Sequence, residues 1–255
     1  MDYFFEQIVL FMISIVANGL SAMAGGGAGL LQFPALLFLG LSFSVALATH
    51  KVASVALGVG ATFRHLKEKR LSWKFALHIL SFGLPGVVLG ALLILSVPDN
   101  VAKIALGILT IGLGLYSWLQ PNLGLQPKPK VFSKIEWCIG GLVLFLIGVL
   151  NGSITSGTGL FVTLWLVRWY GLDYQRAVAY TLILVGMIWN GFGAVTLATQ
   201  SAVKWEWVVP LVLGALLGGY LGAHLSLAKG SKLVKRCFET VTILVGLSLL
   251  IDGSA

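Results

Sequence analysis

The stretch Asn18-Gly19-Leu20-Ser21-Ala22-Met23-Ala24-Gly25-Gly26-Gly27-Ala28-Gly29-Leu30 is an apolar helix that cannot continue. Four of the five residues 25–29 are glycine, and each costs a helix about 1 kcal/mol against alanine. The chain then repeats itself. Asn151-Gly152 is followed by Thr155-Ser156-Gly157-Thr158-Gly159, and the offset between matched positions stays at 130–133 residues. Gly40 falls on Gly171, Ala46 on Ala177, Trp73 on Trp205, Gly86 on Gly218, Gly90 on Gly222 and Lys103 on Lys235. A duplicated apolar unit with a broken segment in each copy is the pattern of a secondary transporter.

Composition puts the chain in a bilayer. It is 58% hydrophobic and 10% charged over 255 residues, with a mean hydropathy of +0.96; a soluble domain carries about 25% charged residues. Stretches long enough to span recur at 4–22, 43–63, 75–96, 101–119, 136–150, 177–199, 207–228 and 234–251. Two shorter apolar pieces, 28–39 and 157–167, follow the breaks. Twelve residues (28–39) rise about 18 Å, short of a core about 30 Å thick, which favours a discontinuous pair whose break lies inside the membrane. The start is read as a retained helix rather than a signal peptide, because residues 1–7 carry Asp2 and Glu6 and no Lys or Arg. Cys138 and Cys237 lack metal or redox spacing and read as small apolar residues.

A net charge of +8 suggests nucleic acid, but its distribution excludes that partner. The basic residues sit in short loops: Arg64, Lys67, Lys69, Arg70 and Lys74; Lys128, Lys130 and Lys134; Lys229, Lys232, Lys235 and Arg236. Such loops face the cytoplasm. Counting helices from them puts 64–74 inside and its equivalent 200–206 outside. The expected architecture is therefore an all-α polytopic membrane protein of two inverted-topology repeats. Each repeat has a Gly-rich broken helix pair followed by three transmembrane helices. The first covers 1–119, a cytoplasmic linker 120–134, the second 135–255.

The breaks also suggest chemistry. A helix restarting inside the membrane points free N–H donors and a partial positive charge at whatever fills the gap, an anion site by construction. Glycine lets the backbone approach a ligand closely, so Gly25, Gly26, Gly27 and Gly29 are candidates in the first copy. In the second, Gly157 and Gly159 are joined by the hydroxyls of Thr155, Ser156 and Thr158. The bland alternative is tight helix packing. Asn18 and Asn151, before the breaks, either cap freed backbone or touch substrate. Asn190 is either packing glue or a ligand contact.

His50 and Lys51 lie deep in the apolar run 43–63, where ionisable residues are costly and point to function. Lys51 could neutralise an anion, or snorkel to the interface. His50 could carry a coupling proton. At most one is expected to line the cavity centrally, and Lys51 is the better candidate. It has no acidic residue between Glu6 and Glu68, which leaves a bound anion as its partner. Arg168 and Arg176 read as cytoplasmic topology markers.

The paired stretches Asn18–Gly29 with Pro34-Ala35-Leu36-Leu37, and Asn151-Gly152 with Thr155–Gly159, resemble the TauE/SafE family over essentially the whole chain. The resemblance implies a bacterial inner-membrane permease for small sulfur-containing anions such as sulfite and sulfonates. It carries a substrate role to both breaks and to the polar positions after them, Thr49, His50 and Lys51 in one copy and Thr181 in the other. The expected partners are a small anion, the lipid bilayer and protons as coupling ion, with a homodimer as an open oligomeric state. No cofactor, metal or catalytic residue is expected. A passive anion channel and a structural or assembly subunit remain as alternatives. An intramembrane enzyme is disfavoured by the scarcity of acids and the lack of HExxH or GxSxG patterns.

Overall fold

The structure is a computed structural model that describes residues 3–65, 71–93, 99–128, 130–153, 157–199 and 201–254. The described residues are helical throughout, joined by turns, with no strand among them. The helices are α1 (Tyr3–Ala24), α2 (Gly29–Phe38), α3 (Phe43–His65), α4 (Trp73–Leu93), α5 (Asp99–Leu119), α6 (Lys134–Ser153), α7 (Thr158–Arg168), α8 (Tyr174–Tyr180), α9 (Asn190–Ala198), α10 (Trp205–Lys229) and α11 (Ser231–Ser254). A π-helical segment, Thr181–Trp189, joins α8 to α9 in one continuous rod. The span expected at 177–199 is this composite rod. Lys67, Lys69 and Arg70 of the first basic loop, and Thr155 and Ser156 of the second break, lie outside the described residues.

The glycines end α1 as their chemistry requires. Gly25, Gly26 and Gly27 have φ of 85°, 149° and 99°, a region that side chains with a Cβ rarely enter. The second break turns at Gly157, with φ 78°. Two other starts are capped by side chains. Ser133 and Glu136 form a reciprocal pair at the head of α6, with Ser133 N donating to Glu136 Oε2 at 2.8 Å. Asp173 accepts from Arg176 N at 2.9 Å to start α8.

Six stretches among the described residues are long and apolar enough to cross a bilayer: α1, α3, α4, α6, the α8–α9 rod and α10. α1 shows how they face their solvent. It turns Phe4, Ile8, Met12, Val16 and Leu20 outward and buries Ser14, Asn18 and Ser21. Polar-in, apolar-out is the pattern of a helix bathed in lipid.

Small residues set the packing. α10 lies against α1 so closely that a Cβ on Gly218 would meet the Ile15 carbonyl oxygen at 2.5 Å, and one on Gly214 the Phe11 carbonyl oxygen at 2.6 Å. α4 meets α6 in the same manner, through Gly86 and Gly90 on one side and Gly148 and Gly152 on the other. The register fixes direction. Phe11, Ile15 and Gly19 match Gly214, Gly218 and Gly222 in order, so α1 and α10 are parallel. Gly148 and Gly152 meet Gly83 and Val87, so α6 and α4 are parallel. Thr49 bonds Lys204 N and Arg64 bonds His224, so α3 also runs with α10. α3 crosses the rod in the opposite sense, Gly58 meeting Gly186 while Lys51 reaches Asn190. Gly83 meets Trp189, and Val87 lies by Gly193, so α4 runs with the rod. α5 and α11, also expected to span, lie along each other.

Candidate functional site

The two breaks meet. A Cβ on Gly26 would lie 2.7 Å from the Gly159 carbonyl carbon and 2.7 Å from the Leu160 amide nitrogen. Thr163 Oγ1 in α7 donates to Gly25 O at 2.9 Å and lies 3.0 Å from Thr181 Oγ1. Beside this junction is a cavity of about 40 Å³, room for roughly three waters or one small ion. Gly25 to Gly29 form one wall, Thr158 and Gly159 another, with His50, Ser54 and Leu57 of α3 and Thr181, Leu182, Val185 and Gly186 of the π segment facing them. Ser21, Asn151 and Asn190 complete the lining. Ser54 is the middle residue of α3 and Gly186 that of the α8–α9 rod, so the cavity sits halfway along both.

Both restarting helices begin at this cavity, and neither start has a side-chain cap: Ala28 precedes α2 and Gly157 precedes α7. The first turn of a helix leaves N–H groups without intrahelical acceptors and carries partial positive charge. Two such ends converge on one space. The π segment opposite is a geometry rare enough in proteins to mark strain or function. It turns Val185 and Gly186 to the cavity and lets Gly58 and Gly186 touch.

Lys51 is wholly buried and stands one layer behind the wall. Its Nζ donates to Asn151 O at 2.8 Å, Asn151 Oδ1 at 3.0 Å and Asn190 Oδ1 at 3.1 Å. All three protons are used. The acceptors are neutral, so the charge itself has no counter-ion in the cage. Placing a cation near the middle of a membrane costs about 2.5–3.5 kcal/mol even on the gentler insertion scales. Both amides that hold it also line the cavity.

The expectation that Lys51 rather than His50 lines the cavity is reversed. His50 is 2% exposed, lines the cavity, and its Nδ1 has no hydrogen-bond partner. Lys51 does not snorkel: its side chain turns sideways into the second half of the chain. Thr49 faces away, its Oγ1 accepting from Lys204 N at 3.0 Å. Asn18 braces the first break from behind, donating to Gln32 Oε1 at 2.9 Å and Ser14 O at 2.7 Å. Asn151 braces the second, donating to Thr158 Oγ1 at 2.8 Å. Gly157 shapes the turn without lining the cavity. Asn190, left between packing and ligand contact, accepts from Lys51 and lines the cavity.

Sequence reasoning missed Ser21, Ser54 and Thr163. Ser21 and Ser54 are lone hydroxyls on apolar helices, and only their spacing from Asn18 and Lys51 on one helix face marks them. It also missed a buried network at the basic end, where Lys235 bonds Ser117 O and pairs with Glu239, and Ser117 Oγ lies 2.8 Å from Tyr174 OH.

The chain is similar to known membrane transporters. The family described as "Sulfite exporter TauE/SafE" matches residues 10–249. A Sinorhizobium protein named "Probable membrane transporter protein ORF9" is 32% identical over 245 residues, 95% of this chain and 92% of the relative. The Escherichia coli K12 protein named "Probable membrane transporter protein YfcA" is 30% identical over 96% of this chain and 90% of its own length. The Bacillus subtilis protein named "Probable membrane transporter protein YunE" is 23% identical over 96% of this chain and 98% of its own. No solved structure matches the chain.

Proposed function

The chain belongs to the TauE/SafE family of membrane transporters, and from that premise we propose that it moves a small sulfur-containing anion, sulfite or a sulfonate, across the bacterial inner membrane as a secondary transporter coupled to an ion gradient. One observation carries this reading: two uncapped helix starts, from two copies of one motif, converge on a single small cavity halfway along the spanning helices. Among the described residues no Asp or Glu lines that cavity, and an ammonium with no counter-ion in its cage stands behind it. The two helix starts and the buried Lys51 ammonium favour an anion. The volume suits an oxyanion of a few heavy atoms.

The mechanism follows from duplication. Residues 1–119 and 135–255 act as two inverted repeats joined by a cytoplasmic linker, 120–134. The helix directions support this. α1, α3 and α10 run one way; α6, the α8–α9 rod and α4 run the other. These are the pairs that the sequence repeat matches, and each pair is antiparallel. A site on the pseudo-two-fold axis can be offered to either face by one motion, because the two repeats exchange conformations. The halves are not chemically equal: Leu182 stands where Lys51 would repeat. The anion therefore meets cationic chemistry from the first copy and hydroxyl chemistry, Thr158 and Thr181, from the second. Protons serve as coupling ion at His50, the titratable side chain in the lining.

Reconstitution tests the reading. Purified protein in liposomes preloaded with unlabelled sulfite should concentrate labelled external sulfite transiently, because a carrier exchanges substrate through one site. Flux that equilibrates without this overshoot identifies a passive channel, and no sulfite or sulfonate flux defeats the proposal.

A further inference from the structure

Away from the central cavity, at the basic end, the linker is strapped across the ends of α5 and α7. Lys128 N donates to Gly171 O at 2.7 Å, and Tyr174 N donates to Gly124 O at 2.8 Å. A Cβ on Gly171 would strike the Lys128 carbonyl, and one on Gly124 would strike the Tyr174 ring, so the strap lies flat against the α7–α8 turn. Beneath it is a cavity of about 230 Å³. Its wall carries Lys128, Lys130 and Arg168, with Tyr116, Gln120 and Gln126 as neutral hydrogen-bonding groups and, among the described residues, no Asp or Glu.

The cations are available. Arg168 uses Nε to bond Tyr116 OH, which fixes the guanidinium and, among the described residues, leaves its two terminal amino groups without a hydrogen-bond partner. Glu136 is within electrostatic reach of Lys130, but its carboxylate is engaged by Ser133 N at 2.8 Å and Ser133 Oγ at 2.9 Å. Topology alone asks for basic residues in this loop. It does not ask for three of them to share the wall of one cavity, where they repel one another.

We infer that this cavity binds a phosphate-bearing anion. The planar Arg168 fork matches two phosphate oxygens, while Lys128 and Lys130 act as point charges. A volume below the roughly 300–1,000 Å³ of drug-sized pockets fits a phosphate or diphosphate group rather than a whole nucleotide. That group has two sources at this depth: the head of an anionic lipid, or a soluble phosphorylated compound.

Calorimetry on the purified full chain in neutral detergent separates them, using inorganic pyrophosphate and short-chain phosphatidylglycerol as probes. Binding of pyrophosphate alone assigns a soluble ligand; binding of the lipid alone assigns a headgroup; either supports the site. The double variant Lys128→Gln/Lys130→Gln, and separately Arg168→Gln, should weaken the bound probe by about tenfold. Arg236→Gln, on the same face but outside the cavity, should change it by less than about twofold. Absence of binding by both probes to the folded wild type overturns the inference. So does an equal loss in Arg236→Gln, since the basic residues are then topology markers only.

Discussion

At the scale of single residues, the centre of the molecule is asymmetric because of Lys51. Replacing it with methionine removes a buried charge, takes the lysine donor from Asn151 O and Oδ1, and leaves Asn190 Oδ1 with only a long 3.4 Å bond from Asn151 Nδ2. Unmade buried hydrogen bonds cost about 1–3 kcal/mol, and relief of the uncompensated charge offsets part of that. The melting temperature of the empty Lys51→Met protein should therefore move little, while its anion-induced shift should collapse, with affinity down at least about tenfold. A full anion-induced shift in that variant leaves the helix starts as the whole of the anion site. His50 makes a different prediction. An anion and a proton in one cavity attract, so each tightens the other's binding. Lys51 is the sequence neighbour of His50 behind the wall, and among the described residues no Asp, Glu, Lys or Arg lines the cavity with His50. Anion affinity should rise as pH falls through the range in which His50 takes up a proton, and His50→Gln should abolish that slope while keeping binding. A slope unchanged in the variant moves the coupling proton elsewhere. The cost of a lysine in an apolar run is legible in the sequence. Its partners are not, because they lie 100 and 139 residues away and come together only when the halves interlock. The same distance hid which of two adjacent residues would face the cavity.

At the scale of elements, the breaks and the glycine contacts are the two devices that the repeat encodes twice. The junction of the breaks tolerates no side chain at Gly26, where a Cβ would meet the Gly159 and Leu160 backbone at 2.7 Å. Gly26→Val should abolish flux, while the protein still inserts and runs as a monodisperse peak in size-exclusion chromatography. Normal flux in that variant makes the glycines packing devices alone. The helix contacts predict a matched pair of outcomes. Gly90 faces Val149 of α6 and Gly222 faces Gly19 of α1, each at backbone distance. Gly90→Leu and Gly222→Leu should each destabilise by about 1–3 kcal/mol through overpacking, read as similar drops in denaturation midpoint. Very unequal drops mean that the contacts do different jobs. Most of these elements could be read from the sequence, since glycine clusters end helices and apolar runs fill them. The π segment could not. Its residues, Thr181 to Trp189, are an unbroken apolar run, and only packing of Gly58 against Gly186 distinguishes it from the α-helices on either side.

At the scale of the whole molecule, the fold is two sets of helices running in opposite directions, bound by contacts that each set makes with both halves of the chain. α1 of the first half packs on α10 of the second, and α6 of the second packs on α4 of the first, so the closest helix pairs join the two halves. The proposed inversion could be argued in the sequence only from loop charge, and loop charge is a property of the membrane as much as of the chain. The structure adds a purely internal argument in its helix directions. The two arguments meet in one measurable consequence. The turns at Arg64, Gly124, Arg168–Arg176 and Lys229 are tied together at one end, by Arg64 to His224, Lys128 to Gly171 and Gln175 to Ser226 and Leu227. Lys204, at the other end, is paired with Glu206 at 2.7 Å. Ser72, before α4, and Ser201, before α10, hold equivalent places in the two halves but sit at opposite ends. After both native cysteines are replaced with serine, Ser72→Cys should react with a membrane-impermeant maleimide only in inside-out vesicles, and Ser201→Cys only in intact cells or spheroplasts. The native pair must go because Cys138 is exposed. Labelling of both positions from the same face contradicts the inverted repeat, and with it the exchange of conformations by which one central cavity could serve two sides of a membrane.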